Sequence, residues 1–116
     1  MYLTKDSSPE EYEVYDHPGM KDVRRKQFLN PDNSSKNFAL RAYVIQSGGH
    51  TAYDVHSHEH GVYVLSGKVT VKIGAEELHL CPGDVLHISG NEPHQFFNHH
   101  SDPVKFLCVR DFTSSP

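Results

Sequence analysis

A chain of 116 residues has room for one hydrophobic core, so a second domain is not expected. Its formal net charge is −4, and its eleven Lys and Arg residues gather nowhere beyond Arg24, Arg25 and Lys26, which argues against a nucleic-acid footprint that would be basic and one-sided. No run approaches the ~20 apolar residues of a membrane span. Met1 to Glu13 is polar and acidic, without the basic-then-apolar order of a secretory leader, and Cys81 and Cys108 match no disulfide or zinc spacing, so a cytoplasmic protein with two reduced thiols is expected.

In chain order, residues 1–20 read as a weakly structured N-terminal arm, rich in Ser, Pro and acidic residues and ending at Pro18-Gly19. Its Tyr2, Tyr12 and Tyr15 call for a surface to pack on, a partner subunit among the options. Residues 21–116 form the folded domain. Val23 to Leu29 is a first strand, followed by a turn-rich loop over Asn30 to Asn37. Phe38 to Gln46 is the next strand and stops at Ser47-Gly48-Gly49. Val62 to Leu65 and Lys68 to Ile73 flank Ser66-Gly67, a hairpin signal, and the second of these alternates Lys68, Thr70 and Lys72 against Val69, Val71 and Ile73. Further strands follow at Glu77–Leu80, Val85–Ile88, His94–Asn98 and Val104–Phe112, with Pro82-Gly83-Asp84 turning the chain between two of them. No helical period appears. Short strands punctuated by Gly and Pro predict an all-β sandwich or jelly roll.

Ten histidines are many for this length, and their placement between Gly48 and Asn98 is the main functional signal. Asp54 and His56 are two residues apart, so on an extended segment they project to one face. His60 follows with the same parity, and His94 comes from a remote segment that an antiparallel barrel can bring alongside. Three imidazoles and a carboxylate would then converge inside the barrel. Such a donor set suits iron, manganese, nickel, copper or zinc and leaves positions open for a substrate or dioxygen.

These residues resemble the paired motifs of the cupins. Gly48, Asp54, His56, His60 and Gly67 fall on the first motif, in which a glycine precedes a His-x-His pair, a glutamate and a second glycine. Gly83, Ser89, Asn91, His94 and Asn98 fall on the second, and Tyr63-Val64-Leu65-Ser66-Gly67 and Pro93-His94-Gln95-Phe96 are familiar cupin strings. The resemblance covers about residues 38–111 and implies a double-stranded β-helix, a jelly-roll cupin barrel. It places Asp54 where the first histidine usually stands and His60 where the glutamate stands; small cupins with four histidine ligands also carry His at the latter position. Three roles then stay open for Asp54: coordinating the metal, acting through a water, or only orienting a neighbour. A gapped alternative takes His56-Ser57-His58 as the pair, with His60 as third ligand. In the ungapped version His58 lines the mouth of the pocket, as a proton shuttle, a substrate contact or a loop residue with no role.

The resemblance implies a metal-dependent enzyme on a small organic substrate, of dioxygenase-like, oxidoreductase character, with Asp54 and His58 as catalytic candidates and Asp54, His56, His60 and His94 as metal ligands. Iron or manganese is the favoured ion. A non-catalytic binding or sensing module, or a metal-dependent isomerase or lyase on a sugar-like substrate, are the alternatives. A homodimer is expected, since small cupins commonly pair through sheets and N-terminal strands. Of the rest, His79 and His87 read as packing or surface residues, and His17, His50, His99 and His100 as solvated loop residues. Arg41 on a barrel strand could meet a substrate carboxylate, with an outward, solvated arginine the preferred reading, and Phe96 and Phe106 could line the cavity, with a place in the core preferred.

Overall fold

The strand pairings in the computed structural model, which describes residues 1–112, are all antiparallel. The strands are β1 Glu13–Val14, β2 Lys21–Leu29, β3 Phe38–His50, β4 His60–Ser66, β5 Val69–Ile73, β6 Glu76–Leu80, β7 Val85–Ile88, β8 His94–Phe97 and β9 Val104–Asp111. Their hydrogen-bonded order is β6-β5-β8-β3-β9-β4-β7, with β2 against β3 and β1 on β2. The sheet curls on itself, as the expected jelly roll requires. Alternation produces the curl's inside: Tyr43 and Ile45 of β3, Val62 and Val64 of β4, Phe96 of β8 and Phe106 and Cys108 of β9 form one buried cluster with Val69, Val71, Ile88 and Val104. Fully burying each such side chain contributes about 1.5–3 kcal/mol.

Strand β3 is longer than its sequence suggests. Ser47-Gly48-Gly49 was expected to stop it, yet the strand runs on to His50. Residues Phe38 to Ile45 pair with Asp111 to Val104 of β9, whereas His50 pairs with Phe97 of β8. The glycines turn the strand from one half of the roll into the other. Gly48 takes a left-handed φ of 80°, and a Cβ on Gly49 would lie 2.6 Å from the Lys21 carbonyl oxygen, so neither position suits a larger residue. Asn98 locks the same corner. Wholly buried, its amide donates to the carbonyls of Ile45 and Asp102, and its oxygen accepts from the His100 amide.

Ser66-Gly67 is not a hairpin. Strand β4 pairs with β7 and β9, and β5 pairs with β6 and β8, so the dipeptide carries the chain between the two halves. Gly67 has φ 74°, and a Cβ there would run into the Pro103 carbonyl oxygen and lie 2.7 Å from Val104 Cα. Close approach of another segment, rather than a tight turn, demands this glycine. The polar face expected on β5 is incomplete for a related reason: Thr70 is buried and its hydroxyl meets His79 Nδ1 at 3.2 Å.

Two of the arm's tyrosines, Tyr12 and Tyr15, find their surface on the chain's own barrel, while Tyr2 stays exposed. Tyr12 is buried against Phe28, Ala42 and Val44, on the outer face of β2 and β3. Lys105 Nζ pairs with Asp6 at 2.5 Å, Lys26 Nζ donates to Ser7 Oγ, and Arg24 Nη1 donates to the Tyr12 carbonyl. Tyr15 reaches the cavity described next and lies under the Arg25 guanidinium, 3.9 Å from ring centre to Cζ.

Candidate metal centre

Two strands and one loop supply the histidines. His60 opens β4, where inward positions alternate through Val62 and Val64, and His94 opens β8 on the same face as Phe96. His56 lies in residues 51–59, where the chain bends through a loop and is fastened to β8 by Thr51, whose amide donates to the Phe96 carbonyl, and by an isolated bridge, Asp54 to His94. The turn after β7 supports that loop: the Asn91 amide donates to the His56 carbonyl at 2.7 Å, and Gly90 sits so close under the Ser57 carbonyl that no Cβ fits.

The structure brings His56, His60 and His94 together, with a ligating atom of each within 4.8 Å of the others, close enough to share one metal ion. Their rings stand near perpendicular, at 79°, 70° and 78° for the three pairs. Second contacts fix which nitrogen faces the centre. His56 Nδ1 lies 3.0 Å from the His58 carbonyl and His94 Nδ1 lies 2.8 Å from the Glu92 carbonyl. A carbonyl only accepts, so each Nδ1 carries the proton and each Nε2 keeps its lone pair. His60 differs: its Nδ1 faces Arg41 Nη2 at 3.5 Å and Cys108 Sγ at 3.3 Å. Arg41 can only donate, so the neutral ring then carries its proton on Nε2 and offers it to His56 Nε2, 3.0 Å away. To ligate through Nε2, His60 would shift that proton to Nδ1, where the Cys108 sulfur is the acceptor within reach.

Electrostatics disfavour a proton on His56, His58 and His60. Burial, followed by the charge of Arg41 and the neighbouring imidazoles, pushes His60 down to about 2. Burial also lowers His56, with Asp54 opposing. His58 falls to about 4, through burial and then the proximity of His56, Arg110 and Arg41. Burial pushes the Cys108 thiol up, against the pull of Arg41. A divalent transition metal binds imidazole lone pairs; those on Nε2 of His56 and His94 face inward, and His60 frees its own once its proton moves to Nδ1, so these residues fit one.

The remaining candidates sit around this trio. Asp54 Oδ2 lies 3.6 Å from His56 Nε2, but its carboxylate is half exposed and is not one of the three converging donors. His58 stacks on His56 at 3.5 Å with the planes 7° apart, and stands edge-on to His60 at 4.9 Å. Both border a cavity of about 180 Å³, floored by the stacked rings of Phe96 and Phe106. Arg41 does not point outward as the sequence suggested. It is only 8% exposed and lines the cavity, as do Arg110 and Cys108. Strand parity held the signal: Arg41 alternates with the buried Tyr43 and Ile45, and Cys108 and Arg110 follow Phe106 at spacing two. His79 and His87 are surface residues facing Glu77 and Glu59.

A match to the family described as "Cupin domain" spans residues 42–110, and the chain belongs to that family. It is 33% identical over 70 residues to a 1-methylthio-D-xylulose 5-phosphate methylsulfurylase of Rhodospirillum rubrum, a match covering 60% of this chain and 45% of that protein. The chain thus spans less than half the length of that relative. Among solved structures, the polyketide cyclase RemF from Streptomyces resistomycificus superimposes with a TM-score of 0.83 at 22% identity, over 98% of this chain and 83% of that one. A cupin-2 domain protein from Rhodospirillum rubrum gives 0.79 at 22% identity, over 99% and 78%. At these identities the structural matches speak for the fold. No helix among the described residues is long and apolar enough to cross a membrane.

Proposed function

We propose that the cavity is the active site of a metal-dependent enzyme acting on a small organic substrate, with oxygenase-type turnover. The observation that carries this reading is the convergence of His56, His60 and His94 beside an open cavity. A structural metal is usually closed off by four protein ligands, whereas three leave positions for a reactant. An iron or manganese ion held by His56, His60 and His94 would supply a Lewis acid for an enolate or carboxylate oxygen and the oxygen chemistry. The chain's own groups do the rest. Phe96 and Phe106 keep one wall dry, and His58 stands where it can accept a proton from a bound substrate and pass it towards solvent. Asp54, at the rim, orients His56 or acts as a base.

A second reading, a metal-dependent isomerase or lyase, is favoured by that placement of His58, since proton movement without oxygen needs such a base. Elemental analysis of untagged protein, then oxygen uptake after anaerobic reconstitution with iron or manganese, tests the proposal against small diketones, thiols and keto acids. Turnover without oxygen uptake selects the second reading. Protein that takes up metal but turns nothing over is a binding module. A homodimer is also proposed, supported by exposed Tyr63, Leu65 and Val85 on β4 and β7; equilibrium sedimentation showing a monomer well above micromolar concentration would refute it.

A further inference from the structure

Arg41 is a buried cation without an anion. Its Nη2 is directed at Cys108 Sγ, 3.2 Å away, and at His60 Nδ1, 3.5 Å away, and its Nε is buried with no partner. The Tyr43 ring offers only a distant face, 5.4 Å from Cζ. Among the described residues no carboxylate forms an ion pair with it. Arg110 lines the same cavity, opposite His60 in the β4–β9 register, and Asp54 is the sole acidic residue on the wall. Burying a guanidinium without a counter-charge is expensive, and a fold keeps such a group where something else supplies the charge.

We propose that Arg41, assisted by Arg110, is a carboxylate-binding subsite, so that the substrate is a small carboxylic acid held at one end by the guanidinium and at the other by an oxygen facing the three histidines. The inference rests on the cavity being the ligand site, as argued above, and adds the substrate's chemical class. Position supports it, because the guanidinium sits at the Nδ1 edge of His60, so an anion on Arg41 lies one imidazole ring from the ligating edge. Size supports it too. A cavity of about 180 Å³ is smaller than the roughly 300–1,000 Å³ of drug-sized sites, which suits a few-carbon acid and not a nucleotide. A planar carboxylate matches the guanidinium fork, with two parallel N–H donors meeting two oxygens.

The test is titration calorimetry on the full chain, metal-free and zinc-loaded, with pyruvate, its neutral analogue pyruvamide, and inorganic phosphate. Pyruvate should bind on the order of tenfold to a hundredfold more tightly than pyruvamide, and Arg41→Met should erase that difference while zinc stoichiometry stays at the wild-type value. Arg41→Lys, which keeps the charge and loses the fork, should fall between. Arg110→Gln, further from the core, should weaken pyruvate by a smaller factor and covers the case in which Arg41→Met fails to fold. Equal binding of pyruvate and pyruvamide by zinc-loaded protein overturns the subsite and leaves the metal centre standing. Tighter binding of phosphate than pyruvate also overturns it. Failure to take up zinc, with pyruvate still preferred over pyruvamide, would sink the metal reading and leave the subsite intact.

Discussion

Asp54 and His94 exchange two backbone hydrogen bonds, each amide donating to the other's carbonyl at 3.0 Å. That reciprocal bridge fastens the loop of the first motif to the strand of the second. It lets His56, from a loop, meet His94 and His60, which strands hold rigidly. It also separates two roles for Asp54, since its backbone holds the loop whatever its carboxylate does.

The ligand set gives the first expected outcome. His56→Ala, His60→Ala and His94→Ala should each lower metal affinity by more than the roughly 10–100-fold that loss of an outer-shell partner costs. His58→Ala should leave metal content near the wild-type value, because its ring stacks on His56 without joining the converging donors. Metal analysis after dialysis decides. An empty site in His58→Ala, with Asp54→Ala still full, would support the gapped motif alignment instead.

Asp54 divides by its variants. If the carboxylate ligates, Asp54→Asn should lose metal, the amide being a poorer donor, and Asp54→His should keep it as a fourth imidazole. If it is a base, Asp54→Asn should keep metal and lose turnover on the order of 10²-fold or more. Its standing at 3.6 Å from His56, half in solvent, leads us to expect the second pattern. Full occupancy together with full activity in Asp54→Asn would deny it both roles.

Acid should destabilise the metal-free protein. The ordinary histidine value is 6.5, and burial with the Arg41 charge holds folded His60 at about 2. Below about pH 6.5 the unfolded chain binds a proton that the folded chain refuses, so stability falls as pH falls and is regained as pH rises. His60 alone sets a slope of about 1.4 kcal/mol per pH unit through that window, and the contribution vanishes above it. His56 and His58 act in the same direction, the more solvated His58 less than its shift implies. Urea unfolding in chelator between about pH 7 and about pH 5 should show a shallower slope for His60→Gln. Identical slopes would remove His60 from the explanation.

Gly90→Ala should loosen the site from outside. A Cβ there meets the Ser57 carbonyl, whereas one at Gly61 meets nothing within 4 Å. Gly90→Ala should cost about 1–3 kcal/mol and weaken metal binding roughly tenfold by pushing the loop that carries His56. Gly61→Ala should stay within about 0.5 kcal/mol of wild type. Thermal denaturation and metal titration on both variants measure the difference.

Strand positions were readable because alternation along a half-buried strand is a local property: Val85–Ile88 falls where its pattern places it, and Val104–Phe112 ends only one residue long. Pairing was not local. Ser66-Gly67 looks like a hairpin turn until the approach of Pro103, from the far end of the chain, explains the glycine. The histidines were visible through motif spacing, yet the bend that lets His56 join His60 depends on the β7–β8 turn beneath it. For Arg41 the sequence allows both an inward and an outward side chain; charge favours the outward one, and only the assembled cavity shows that parity wins.

Strand β3 belongs to both halves of the roll, and this has a consequence for how the chain reaches its fold. One edge pairs with the neighbouring β2 and the other with β9, so Arg41 lies opposite Cys108 across a separation of 67 residues. Closing so large a loop costs chain entropy before any contact repays it, which places folding among the slow, non-local topologies, on the order of milliseconds to seconds. During synthesis the first half of the sequence would wait, its central strand unpaired on one edge, until the last one emerges from the ribosome. Residues 104–111 therefore set the moment at which β3 gains its second edge and the roll can close.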